Sequence, residues 1–404
     1  MKKRIFIVFI LLLFIITLGG CNTKKTALTK EEKIADFNYM YEILKDNYPY
    51  FEVNKRLNGG LDWLSNKENY IDAIQSTQND EEFYKKLQEI LSDLNNGHTD
   101  MLDKIFYDYA KKAYNMQPKT NEEWLKQLNN PKAVVRYGGM KSASVGFPIS
   151  SDSETPDNVK TEVIDNGKAA YLSIKMLNTF NIESDMKIIK PFLKSIVSTR
   201  AIIIDIRGNG GGDSRYWSDN IVPMLINKTL SNKEYIAYRG GKFTEEFLKS
   251  RYETGYEKLQ PIENINKENL KNLPAEVMKD FKYYSVSETN IEPKDSIDYT
   301  GEIYLLVDGS VFSSSEAFAA FCKGTGFAVL VGERTGGDGI GFDPAVCTLP
   351  NSGFVFRFTQ EMGMTSDGSC NFESKTEPDI KISAKKNEDL NKDQAVQTVL
   401  KLIK

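Results

Sequence analysis

The chain has 404 residues, 40% of them hydrophobic and 27% charged, ordinary globular values that exclude wholesale disorder and leave ample length for a buried core. Its 52 basic and 56 acidic residues give a net charge of −4, more negative still once a leader carrying Lys2, Lys3 and Arg4 is removed, so nucleic acid is not expected as a partner. Four cysteines and one histidine leave no Cys/His set for a structural zinc, no metal or organic cofactor is expected, and any chemistry that needs an imidazole has only His98.

The amino terminus reads as an address. A basic head precedes an apolar run from Ile5 to Ile16 and then Leu18-Gly19-Gly20-Cys21. The run is short for a bilayer span and suits the core of a signal peptide. Small residues before a cysteine resemble a bacterial lipoprotein signal, which implies removal of residues 1–20 and lipid on Cys21, holding the protein to the extracytoplasmic face of the cell membrane. An uncleaved anchor with an incidental cysteine is the alternative. Residues 21–28 follow as a polar tether.

Thr29-Lys30-Glu31-Glu32 has capping-box spacing, and Ile34, Phe37, Tyr41 and Leu44 continue it at helical intervals. A second amphipathic helix is expected from about Asp80, with Phe83, Leu87, Ile90, Leu91 and Leu94 on one face, ending at Asn95-Asn96-Gly97. Residues 29–145 therefore read as a mainly helical N-terminal domain. Residues 146–385 change character: strands at 169–174, 201–206, 303–307 and 327–331 alternate with helices around Ile189–Ile196 and 314–323, which gives an α/β core. Residues 227–300 interrupt that core with charged sequence expected to be helical, an insertion or lid whose Tyr235, Tyr238, Phe243, Phe247 and Tyr252 could cover a cleft or simply pack. The end, 386–404, reads as a linker and a short helix.

Three places could carry chemistry. His98, after the helix stop, is by itself more often a packing residue than a catalyst. The buried strand Ile202-Ile203-Ile204-Asp205 runs into Arg207-Gly208-Asn209-Gly210-Gly211-Gly212, a turn that exposes backbone amides. A dinucleotide fingerprint fails because its third glycine falls on Asp213, and no G-K-[ST] follows, so an oxyanion hole fits better than a phosphate site, with a plain tight turn as the alternative. Ser313 lies between a buried strand and a helix start, where the helix dipole favours a negative oxygen. Ser313-x-x-Glu316 is equally a capping box, worth about 1 kcal/mol and no chemistry, and spacing does not separate the two.

Taken together, Gly97-His98-Thr99, Asp205-Ile206-Arg207-Gly208-Asn209-Gly210-Gly211-Gly212, Ser313-Ser314-Ser315-Glu316 and Val331-Gly332-Glu333-Arg334-Thr335-Gly336-Gly337 resemble the tail-specific, or C-terminal processing, serine peptidases, in order and spacing, over residues 30–385. The segment Glu373-Ser374-Lys375-Thr376-Glu377-Pro378-Asp379-Ile380 is similar to the one that closes that family's catalytic core. The resemblance implies a ClpP/crotonase-like spiral core beside the helical N-terminal domain, and a peptide or protein substrate. In one branch a lysine activates the serine; the position it would take here is Asp338. The tricorn-like branch uses Ser–His with a carboxylate. Carried over, Ser313 is the nucleophile, His98 the base and Glu373 the acid, with Glu361, Glu377 and Asp379 as competitors. The oxyanion donors fall on the Ser314 amide and on Gly210 or Gly211. Gly97 stands where some members carry a relay serine, and the 101–165 stretch with Trp124 is too short and too unlike a PDZ domain. An esterase would use the same residues, and a surface-anchored scaffold that no longer catalyses is the other alternative. Cys347 and Cys370 could pair, though sequence gives no geometry and buried thiols are the default reading, and Cys322 reads as core.

Overall fold

A computed structural model describes residues 27–140 and 157–403; the apolar run expected to be a signal, and Cys21, lie outside them. At its centre is a six-stranded sheet in the order Ile380–Lys381, Val329–Gly332, Glu302–Val307, Ala201–Asp205, Ala169–Ile174 and Val159–Ile164, parallel except for the antiparallel last pair. The inner strands are apolar at nearly every position because both faces are covered. Ala170, Leu172, Ile202, Ile204 and Leu305 point to the side packed by the helices Ile182–Ser195 and Ser314–Thr325. Ala169, Tyr171, Ala201, Ile203 and Leu306, one residue out of phase, meet the Gln394–Leu402 helix on the other. The fold is mixed α/β, as the alternation of strands and helices implies.

The N-terminal helices begin at Lys30–Asn47, whose Thr29/Glu32 capping box is formed in both directions. The Asp80–Ser92 helix exposes its charged face and ends before Asn95, which takes the left-handed φ of 49° expected of a helix stop. These helices do not bury a core of their own. Their Phe37, Leu44, Trp63 and Leu87 join one cluster with Tyr235, Phe247 and Tyr284 and with Val346, Phe356 and Phe358.

Residues 227–300 hold helices at Lys242–Tyr252 and Ala275–Asp280, as expected, but also two long strands that were not. Leu230–Tyr238 pairs along its whole length with Tyr283–Ile291 in a four-stranded antiparallel sheet that also holds Met362–Met364 and Gln260–Pro261. The exposed positions on these strands are Ser231, Lys233, Val286, Glu288 and Asn290, a mixture of apolar, polar and charged types that blurs the alternation expected of a half-buried sheet. Tyr235, Tyr238 and Phe247 are buried, so most of the aromatic stripe packs. The three described cysteines, Cys322, Cys347 and Cys370, are free and buried.

Candidate active site

Ser313 closes the turn between the Glu302–Val307 strand and the Ser314–Thr325 helix at φ 58° and ψ −129°, a conformation an L-residue adopts only under constraint. Two parallel-type contacts hold it there: Gly336 N donates to Val311 O at 2.7 Å and Ser313 N to Gly337 O at 3.4 Å. The strained strand-to-helix turn presents the side chain at the helix mouth rather than over the helix amides. No side-chain cap bond forms, and Ser313 Oγ has no hydrogen-bond partner among the described residues. Glu316 is not a capping partner either: it is fully buried, and its Oε1 accepts from Asn371 Nδ2 at 2.8 Å and Thr376 Oγ1 at 2.7 Å. The capping-box reading of this motif therefore fails on geometry.

The glycine loop lies directly against this turn. A Cβ on Gly211, at φ +105°, would stand 2.7 Å from Ser313 Cβ and 2.9 Å from Ser314 N, so only glycine permits the approach. Asn209 ties loop to helix: its Oδ1 accepts from Ser315 Oγ at 2.7 Å and from Gly211 N at 3.0 Å. That bond consumes the Gly211 amide. The amides of Gly210 and Ser314 have no partner among the described residues, and they are the pair free to meet an oxyanion. Of the two glycines expected as donors, the structure favours Gly210.

His98 reaches the same place from the N-terminal helices. Arg357 fixes its segment, donating to Asp100 Oδ1 at 2.8 Å and to Gly97 O at 3.1 Å, while Asp100–Met101 pairs with the Val355–Phe358 strand. The imidazole packs on the Phe312 ring, centroids 4.5 Å apart, beside Ser313. A Cβ on residue 97 would press to 3.0 Å from that ring, which leaves no room for a relay serine without a shift.

The carboxylate facing His98 is Asp338, with Nδ1 to Oδ2 at 2.8 Å. Oδ2 also accepts from Asn96 Nδ2 at 2.9 Å and Thr359 Oγ1 at 3.2 Å, and Oδ1 from Tyr50 Oη at 2.9 Å. Burial alone would raise the Asp338 pKa, but the His98 charge and bond and the Asn96 and Tyr50 donors hold it below the usual carboxylate value. Burial, then the Asp338 charge, push the Tyr50 phenol well above its ordinary value, so it remains a donor.

Glu373, carried over as the acid, is elsewhere employed: both its oxygens are gripped by Arg56, at 2.7 and 2.6 Å, and the same guanidinium holds Glu276. An anion so paired gains nothing by turning to an imidazole. Glu361 accepts from the Phe342 amide, Glu377 pairs with Arg334 and Lys381, and Asp379 with Lys323. None of the four carboxylates considered from sequence bonds His98. Asp338 enters the sequence reading only as a missing lysine. A signal for it was present in Gly336-Gly337-Asp338-Gly339, a glycine-flanked carboxylate that here adopts φ 58°. Burial pushes the Cys322, Cys347 and Cys370 thiols far above ordinary values, so they do not compete as nucleophiles. No cluster of three or more His, Cys, Asp or Glu that could hold a metal occurs among the described residues.

The model of peptidase family S41 matches residues 168–382. Among solved structures, a candidate peptidase from Parabacteroides merdae superposes with a TM-score of 0.57 at 17% identity, covering 92% of this chain and 96% of its own. Mature CPAF gives 0.54 at 14% identity over 88% and 93% of the two chains, and CPAF complexed with lactacystin 0.55 at 12% over 93% and 98%. At these identities the likeness is one of fold. No curated protein matches the chain.

Proposed function

Because the chain belongs to peptidase family S41 and is a serine-type peptidase, we propose that it is a membrane-tethered endopeptidase with Ser313 as nucleophile, His98 as base and Asp338 as orienter. The observation that carries this reading is the 2.8 Å contact of His98 Nδ1 with a buried carboxylate, on a ring packed against Phe312, the residue before Ser313. The Asp338 carboxylate accepts the Nδ1 proton, so Nε2 is the bare, basic nitrogen. As Ser313 Oγ bonds the substrate carbonyl carbon, Nε2 takes the hydroxyl proton and the carbonyl oxygen becomes the anion met by the Gly210 and Ser314 amides. His98 then returns the proton to the leaving amine, and a water repeats the sequence on the acyl-enzyme. One oxyanion donor is worth roughly 3 kcal/mol in the transition state.

The experiment is labelling with a fluorophosphonate probe beside a peptide-library digest. Ser313→Ala should abolish both while keeping its circular dichroism, and His98→Ala should be equally silent because the chain has no second histidine. A probe adduct on any other serine would overturn the assignment. Tethering is supported by the signal-like run and by Cys21 after small residues. Labelled fatty acid should enter the wild type, and equal incorporation by Cys21→Ser would refute the anchor.

A further inference from the structure

The segment after the last strand of the central sheet crosses the carboxyl ends of the parallel strands, the same edge from which the glycine loop departs. Ala384 N donates to Glu333 Oε1 at 3.0 Å, one residue beyond the Val329–Gly332 strand. Lys386 Nζ donates to Ser173 Oγ at 3.0 Å, in the Ala169–Ile174 strand, and lies 3.5 Å from Asp205 Oδ2 at the end of the next. The chain then enters the Gln394–Leu402 helix through Asp393, whose Oδ1 caps the Ala395 and Val396 amides at 3.0 and 3.1 Å.

Asp393 does more than cap. Its two oxygens accept from Arg207 Nη1 at 3.2 Å and Nη2 at 2.9 Å, while Asp205 takes Arg207 Nε at 2.9 Å and Nη2 at 2.8 Å. The side chains of all three residues are at most 1% exposed. Arg207 is the residue from which Gly208–Gly212 springs. Asp205, paired in the central sheet and bonded by Tyr171 Oη at 2.6 Å, holds the guanidinium from the strand side. Asp393, 186 residues on, grips its other edge from the cap of the carboxyl-terminal helix, so the angle of Arg207 is set only with both in place. A bidentate guanidinium–carboxylate pair removed from water is also directional, which suits it to setting an angle.

We propose that Asp393 is a positioning residue of the oxyanion hole: through Arg207 it sets the direction of the Gly210 amide, so that the carboxyl-terminal segment is part of the active-site architecture. The inference depends on the catalytic reading above, and its test separates the two. Asp393→Asn keeps the helix cap and removes the charge. In the full chain it should slow fluorophosphonate labelling of Ser313 at least tenfold, with the pH midpoint of labelling and the His98 NMR resonance unchanged, since the base is untouched. Val396→Ala loosens the same helix without touching Arg207 and should label at the wild-type rate. The proposal falls if Asp393→Asn labels within twofold of wild type, if its pH midpoint moves, or if Val396→Ala slows labelling equally. Absence of Ser313 labelling in the wild type would instead sink the catalytic reading. Hydrogen exchange on the wild type needs no variant: segments 206–214 and 384–396 should open as one unit with one denaturant dependence. Opening of 384–396 while 206–214 stays protected would also overturn it.

Discussion

Replacing Asp338 by Asn tests the site at its most informative atom. Oδ2 collects three donors, from His98, Asn96 and Thr359, whereas Oδ1 meets only the Tyr50 hydroxyl, which can turn and accept. An asparagine therefore settles with its carbonyl oxygen at the Oδ2 place and its amide toward Tyr50. His98 keeps its tautomer and its orientation; what disappears is the charge. At 2.8 Å and an effective dielectric of about 20, the lost imidazolium–carboxylate attraction is at most ~6 kcal/mol. Exchanging a charge-assisted hydrogen bond for a neutral one costs at least about 1 kcal/mol. A value of roughly 3 kcal/mol lies between these bounds and corresponds to a loss of about a hundredfold in kcat/KM. Glu373→Gln removes only half of an Arg56 fork whose guanidinium side chain is 42% exposed, and should cost less than about fivefold. Initial rates on one quenched peptide from the library, normalised by active-site titration, decide the matter. If Glu373→Gln is as damaging as Asp338→Asn, the acid assignment is wrong.

Two further outcomes follow from the same geometry. Gly211→Ala drives a methyl group to 2.7 Å from Ser313 Cβ and 2.8 Å from Phe312 O at a φ of +105°, so labelling of Ser313 should fall at least a thousandfold while the far-ultraviolet spectrum is kept; labelling near the wild-type rate would mean that loop and nucleophile are not in contact. Burial raises the Glu316 pKa from 4.5 to about 7, so the folded chain holds a proton that the unfolded chain has released, and stability falls as pH rises between those values, by roughly 3 kcal/mol from this group. Glu316→Gln should therefore flatten the melting-temperature profile between pH 5 and 8; an unchanged slope refutes the buried, protonated carboxyl.

What was legible in the sequence is what local pattern encodes. Runs such as Ala201–Asp205 are apolar throughout because both faces are covered, and the Thr29 box and the Asn95 stop are written in residue types with one conformational use. His98 could be named because the chain has one histidine, and Ser313 and the glycine loop because their neighbours are distinctive. The acid could not. Every candidate carboxylate is of the same type, and whether it serves His98 or Arg56 is decided by partners 240 and 317 residues away in the chain. The strands at 230–238 and 283–291 were hidden for a related reason: their exposed positions mix Val286 with polar and charged residues, and only the partner strand reveals the pairing. The 384–393 strap reads as a linker because each of its contacts is with a distant strand end.

The surroundings of residue 338 bear on which base this site can use. By the resemblance read from sequence, that residue takes the place of the other branch's lysine, and its surroundings suit an anion. Tyr50, Asn96 and His98 all come from the N-terminal helical region, and with Thr359 they surround the Asp338 carboxylate with donors. Donors that stabilise an anion oppose a cation, so an ammonium here would face an amide NH2 and hydroxyls that must all turn away, in a place with little water to compensate. Asp338→Lys should then yield neither a lysine base nor a working histidine. The helices before residue 100 are on this view part of the catalytic machinery itself, since they supply both the imidazole and the dipoles that keep its partner ionised.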